Sequence, residues 1–196
     1  MICGIVLSAG RSRRMGEPKA LLRAGGETFL ARAVRALREG GCDHVVVVTG
    51  PDSDPHARAV QDEARALGAS VAVNPHANSQ QADSLRAGLM ALPDDAKAAA
   101  VSPVDIPDLS PALLRELVRA ARRTGAPIAL PLHEGKHGHP VLFARRMFAE
   151  LCAPGLPDGA RTVIHAHAAE LAEVPVDALA PDLDTPDDLR RWRERA

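Results

Sequence analysis

The residues best placed to do chemistry lie near the start of the chain, where the strand-like run Ile5-Val6-Leu7 opens into Ser8-Ala9-Gly10-Arg11-Ser12-Arg13-Arg14-Met15-Gly16-Glu17-Pro18-Lys19. Small residues at Ser8, Ala9, Gly10, Ser12 and Gly16 let backbone N–H groups come close to phosphate oxygens. Arg11, Arg13, Arg14 and Lys19 bring positive charge to the same loop. The combination points to a bound nucleotide. The kinase and ATPase phosphate loop is excluded, because Lys19 is followed by alanine and the glycine spacing is wrong. The dinucleotide fingerprint is excluded as well, since Gly10 is the only glycine between Gly4 and Gly16. The plain alternative is a strand-to-helix turn with solvated arginines.

Two aspartates complement these cations. Asp105 follows a buried-looking strand and is flanked by Pro103 and Pro107, which stiffen the backbone around its carboxylate. Asp184 precedes Thr185-Pro186, where a helix begins. Magnesium is held by one or two carboxylates together with substrate phosphates and water, and Asp105 and Asp184 are the pair nominated for it. As alternatives, Asp105 is a turn residue and Asp184 part of a helix cap.

The elements that must position these groups alternate. Strand-like Ile2–Leu7, His44–Thr49, Ser70–Val73 and Ala98–Pro103 are separated by helical patterns over 28–39, 54–67 and 83–92. Val45-Val46-Val47-Val48 is apolar at every position, as expected of a strand covered on both faces. Ser110 caps a helix over 111–124, and strands at 128–132 and 141–143 follow. Helices are expected over 145–151 and 162–169 and after Thr185. The rhythm specifies an α/β fold: one domain over residues 1–196, with a Rossmann-like, mostly parallel sheet and helices on both faces. In such sheets ligands bind beyond the carboxyl ends of the strands, where the opening loop, the Asn74-Pro75 turn and Asp105 all fall.

Composition narrows the partners. A chain of 196 residues builds one sizeable core, and no linker divides it. Net charge is −1 and aromatic residues make up 2%. Neither a general basic surface nor a stacking platform for nucleic acid is present, so no nucleic acid and no membrane partner is expected. With no apolar leader or membrane-length run, the chain is expected in the cytoplasm. Cys3, Cys42 and Cys152 are far apart and form no Cys-x-x-Cys pair, so they read as small buried residues.

The opening loop resembles that of the nucleotidyltransferases that attach a nucleoside monophosphate to molybdopterin, whose pattern is Leu-x-Ala-Gly-x-Ser-x-Arg-Met-Gly-x-x-Lys. Leu7, Ala9, Gly10, Ser12, Arg14, Met15, Gly16 and Lys19 fit it. Ala9-Gly10 favours the cytidylyltransferase branch, because the guanylyltransferase branch usually carries Gly-Gly there. Four later blocks resemble the family in the same order. They are Asn74-Pro75 through Gln81, Ser84 and Leu85; Pro103-Val104-Asp105-Ile106-Pro107; Gly138-His139-Pro140-Val141 with Gly159-Ala160-Arg161; and Asp182-Leu183-Asp184-Thr185-Pro186. Gln80 departs from a usual glycine and Ile106 from a frequent glutamine.

The resemblance implies the fold of nucleotide-diphospho-sugar transferases and an enzyme that moves CMP from CTP to the phosphate of molybdopterin or molybdenum cofactor. In it, Arg14, Lys19 and Asp105 are catalytic. Leu7, Ser8, Ala9, Gly10, Arg11, Ser12, Lys19, Asn74, Gln81, Ser84 and Asp105 bind nucleotide, and Asp105 and Asp184 hold Mg2+. Gly138, His139, Pro140 and Arg161 lie on the acceptor side. Four other readings remain. Three are enzymes: a guanylyltransferase, a nucleotidyltransferase acting on a sugar phosphate, and a glycosyltransferase using Asp182-x-Asp184. The fourth is a non-catalytic protein that delivers cofactor to a molybdenum hydroxylase.

Overall fold

The computed structural model describes residues 1–10, 17–76 and 81–194. Arg11, Ser12, Arg14 and Gln80 lie outside the described residues. Strand β1 (Ile2–Leu7) is central. A short hairpin follows, formed by β2 (Arg23–Ala24) and β3 (Glu27–Thr28). Next come α1 (Phe29–Glu39), β4 (His44–Thr49), α2 (Pro55–Ala66), β5 (Ser70–Val73), α3 (Gln81–Met90), β6 (Ala98–Pro103) and α4 (Pro111–Thr124). The second half carries β7 (Ile128–His133), β8 (Lys136–His137), β9 (Val141–Ala144), α5 (Phe148–Leu151), α6 (Ala160–Ala166), β10 (Leu171–Pro175) and α7 (Pro186–Arg193).

The main sheet runs β10-β7-β9-β6-β1-β4-β5, with β8 paired to β7. β5, β4, β1 and β6 are mutually parallel, as are β10 and β7, whereas β9 runs antiparallel between β6 and β7. Successive strand side chains point to opposite faces, so β1 sends Val6 to one core and Ile5 and Leu7 to the other. On the Val6 face α1, α2, α4 and α7 pack through Phe29, Leu37, Val60, Leu114, Leu117 and Trp192. On the opposite face α3, α5 and α6 pack through Leu85, Leu89, Leu151, Val163 and Ile164. Helix α3 approaches the sheet so closely that a Cβ on Gly88 would lie 2.8 Å from Ile5 Cγ2 and 2.9 Å from Val48 Cγ2. Only glycine fits without displacing a strand side chain.

The expected parallel sheet with helices on both faces is present, and β1, β4, β5 and β6 have the expected limits. Several elements differ. Helix α3 starts at Gln81 rather than at 83. The expected helix over 145–151 divides into a 3-10 turn, Arg145–Met147, and α5. The one expected over 162–169 becomes α6 plus a 3-10 turn, Ala168–Glu170. Among the described residues no helix is long and apolar enough to cross a membrane.

Candidate active site

The strand ends bring the candidate residues together. At the carboxyl end of β1 the Ser8 N–H donates to the Val48 carbonyl at 2.8 Å, so this amide is engaged within the sheet. Ala9 is half-buried and Gly10 exposed, with no atom of the other described residues, its chain neighbours aside, within 4 Å of where its Cβ would stand. The chain returns at Pro18 into a 3-10 turn, Lys19–Leu21, held by Leu21 N–H to Pro18 O at 2.9 Å and seated by the buried Ala20. This seat directs Lys19 Nζ to Asp105 Oδ2 at 2.8 Å and to Asp184 Oδ1 at 2.7 Å. Asp105 occupies the turn after β6, and Asp184 precedes the cap of α7. Residues 86 and 165 positions from Lys19 therefore meet at one ammonium.

Burial disfavours the Lys19 charge, but hydrogen bonds to Asp105 and Asp184 outweigh it and hold its pKa above the ordinary lysine value. Burial, and then the like charge of Asp105, raise the Asp182 pKa, which disfavours its charged form. The carbonyl of Asp105 also accepts from Leu183 N–H at 3.0 Å, which fixes the 182–184 segment against the turn.

Beside this cluster lies a cavity of about 400 Å3 whose wall includes Leu7, Gln81, Leu85, Gly138, His139 and Arg161. Asp158, His165, Lys136 and His137 complete its polar lining. A Cβ at Gly138 would lie 2.6 Å from Leu179 Cδ2, so a larger residue there would have to displace that half-buried side chain. Burial lowers the His139 pKa, against the attraction of Asp182 and Asp105, which favours a neutral ring. Its Nδ1 is buried and, like Asp105 Oδ1, has no hydrogen-bond partner among the described residues. Pro140 is buried behind it. Strand β8 ends at His137, whose Nε2 lies 2.7 Å from Glu173 Oε1.

Asn74 and Ser84, expected at the nucleotide, are both buried and joined to each other, with Asn74 Nδ2 donating to Ser84 Oγ at 3.0 Å. Asn74 Oδ1 also accepts the His76 N–H at 3.1 Å. These residues anchor the two ends of the segment that precedes α3. Two parts of the site escaped sequence reasoning. One is the bridging position of Lys19, which nothing local in sequence signals. The other is the contribution of Ala82, Ile164 and His165 to the cavity wall, for which the helical spacing of Arg161, Ile164 and His165 was the available signal. Cys3 and Cys42 are buried as expected, whereas Cys152 is only partly buried; burial pushes the Cys42 thiol up to about 12 and raises those of Cys3 and Cys152.

For a divalent ion, two carboxylates from separate segments converge on a single cation, and a buried oxygen of Asp105 has no hydrogen-bond partner among the described residues. Hard oxygen donors of this kind suit magnesium or manganese. Among the described residues no group of three or more His, Cys, Asp or Glu side chains is arranged to enclose an ion. Any ion here relies on substrate oxygens for the rest of its shell.

Comparison with known proteins extends this description. Residues 4–172 match the family described as the MobA-like NTP transferase domain. A Mycobacterium avium protein named "Probable molybdenum cofactor guanylyltransferase" is 33% identical over 197 residues, covering 96% of this chain and 93% of its own. The 2-C-methyl-D-erythritol 4-phosphate cytidylyltransferase of Saccharopolyspora erythraea is 35% identical over 137 residues, or 67% of this chain and 64% of its own. The crystal structure of Rv0371c from Mycobacterium tuberculosis superposes with a TM-score of 0.86 at 30% identity, covering 99% of this chain and 98% of that one.

Proposed function

The chain belongs to the family of MobA-like NTP transferase domains, and from that premise we propose that it transfers CMP from CTP to the terminal phosphate of molybdopterin or molybdenum cofactor. The observation that carries this reading is the Lys19–Asp105–Asp184 cluster, together with a cavity lined by His139 and Arg161 whose His139 feels the charge of Asp105. A phosphate-handling centre adjoins a compartment of a size suited to a second substrate. The names of the curated relatives support the pterin acceptor. Cytidine as the base is supported by Ala9-Gly10 at the end of β1.

In the reaction a terminal phosphate oxygen of the acceptor attacks the α-phosphorus. The bond between that phosphorus and the bridging oxygen breaks, and pyrophosphate leaves. A phosphate monoester with a second pKa of about 6 is largely dianionic at neutral pH, so no general base is needed. The work of the protein is positioning and charge neutralisation. Lys19, with Arg14, draws on the β- and γ-phosphates, and the amides of Ala9 and Gly10 face the rest of the chain of phosphates. Asp105 and Asp184 would hold Mg2+, which when bound neutralises charge between the phosphates. Gln81 and Leu7 border the nucleotide, while Arg161 and Lys136 receive the anionic end of the acceptor. His139, kept neutral by burial, orients the acceptor and moves no proton.

Two other readings have specific support. The relatives named guanylyltransferases favour GTP, and the cytidylyltransferase relative favours a sugar-type phosphate as acceptor. Calorimetric titration of CTP, GTP, ATP and UTP in magnesium, repeated with Asp105→Ala, separates the bases, and pyrophosphate release with pterin against sugar-type phosphate acceptors separates the acceptors. Selective CTP binding lost in the variant is the expected result. Selective GTP binding would keep the enzyme class and overturn the base. Failure to bind any nucleotide, alongside tight pterin binding, would overturn transfer in favour of delivery to a molybdenum hydroxylase.

A further inference from the structure

We propose that in the nucleotide-free protein Lys19 stands in the place of the divalent ion, so that the ion is held only after triphosphate draws the ammonium away. This rests on the reading of Asp105 and Asp184 as the ion's carboxylates.

The spacing of the two carboxylates is set by the fold. Asp105 sits in a turn whose carbonyl is bonded to Leu183, and Asp184 stands next to Thr185, the cap of α7. The Lys19 ammonium enters between them at 2.8 and 2.7 Å. A magnesium ion binds carboxylate oxygens at about 2.1 Å. It cannot reach either oxygen without meeting a like charge that already lies within hydrogen-bonding distance of both. The Lys19 side chain is 12% exposed, against 53% for Asp184, so the ammonium is the more enclosed member of this pair.

Lysine is suited to such a position because its charge sits at the end of a flexible four-carbon stem. The stem moves while its backbone stays seated through Ala20, Pro18 and the 3-10 turn. Withdrawal from two carboxylates requires another anion of comparable charge, and the β- and γ-phosphates of a triphosphate supply one. The ammonium then moves onto phosphate, and the aspartates are released to the ion that the same phosphates carry. Ion and triphosphate consequently bind with positive coupling, and by linkage each strengthens the other. Ion binding in the absence of nucleotide is suppressed.

The test reads Mn2+ directly by electron paramagnetic resonance in the nucleotide-free protein, with folding checked by thermal melting. Lys19→Met is expected to bind Mn2+ about tenfold more tightly than wild type, within the usual range of couplings. Lys19→Arg keeps a cation able to bridge both carboxylates and is expected to remain at the wild-type level. Equal affinity in wild type and Lys19→Met overturns the proposal; if Lys19→Met does not fold, Lys19→Gln replaces it. Asp105→Asn added to Lys19→Met should abolish the gain. A gain that survives in the double variant would place the ion elsewhere and overturn the reading of Asp105 itself.

Discussion

The Leu183 backbone N–H donates to the Asp105 carbonyl at 3.0 Å, tying the turn after β6 to the segment that leads into α7. The two candidate metal carboxylates are thus mounted on one backbone contact, and the outer side of that mount is the C-terminal helix. Thr185 and Asp188 form a capping box at its start, and Trp192 anchors its far end. The Trp192 ring meets Phe29 edge-on with centroids 5.5 Å apart. It lies 5.3 Å from the Arg32 guanidinium, and its Nε1 donates to Asp108.

Trp192→Ala should therefore affect both fold and site. Loss of a large buried aromatic costs about 3–5 kcal/mol, measured by chemical denaturation. Under conditions where the variant remains folded, CTP affinity in magnesium should also fall, because Asp184 loses its support. Trp192→Phe keeps most of the packing and should restore both. A variant that loses stability but keeps full nucleotide affinity would show that α7 does not position Asp184.

Lys19→Ala should cut pyrophosphate release by about 10²–10³-fold, the scale of losing one preorganised charge contact in a transition state. Circular dichroism should show an unchanged fold. Near-normal turnover in the folded variant would remove Lys19 from the mechanism.

Much of this arrangement was legible because local chemistry and tertiary packing agree. The all-apolar run of β4, the Ser110 cap with Pro111 and the Asp-Thr-Pro entry to α7 each specify an element on their own. Strand β10 was not legible, since Leu171–Pro175 carries Glu173 and Pro175 and only Ala172 of the five is buried; it is an edge strand with no apolar run. The two-residue strands of the 23–28 hairpin and β8 are too short to show periodicity. Within the site, the pairing of Asp105 with Asp184 was foreseen from their types and neighbours. The ammonium between them was not, since it depends on how the turn at Lys19 meets two distant segments.

His167 should make stability depend on pH. Its Nδ1 lies 3.0 Å from Glu170 and its Nε2 2.8 Å from Glu150, joining α5 to the turn before β10. Hydrogen bonds to Glu170 and then Glu150 raise its pKa above the usual histidine value. A group whose pKa is higher folded than unfolded stabilises the protein fully below its unfolded pKa, about 6.5, and loses that contribution as pH rises through the folded value. The melting temperature of wild type should exceed that of His167→Gln at about pH 5.5–6, with the gap closing on the alkaline side. The carboxylates must remain ionised for the effect, so it should shrink again near about pH 4. A gap independent of pH would assign His167 a packing role.

Arg161 tests the acceptor half of the site independently of the phosphate-binding half. It stands in the first turn of α6 and lines the cavity that contains His139, whereas Lys19, Asp105 and Asp184 are not among the lining residues. An arginine hydrogen-bonded to a charged group contributes about 1.5–3 kcal/mol, which corresponds to a change of about 10–150-fold. Arg161→Ala should accordingly raise the KM for the pterin substrate by that factor, while the calorimetric Kd for CTP stays within about twofold of wild type. Arg161→Lys, which keeps the charge but not the planar fork, should recover part of the loss. A variant weakened equally for nucleotide and pterin would show that the cavity is continuous with the nucleotide site, and the division of the two substrates between Lys19 and Arg161 would have to be redrawn.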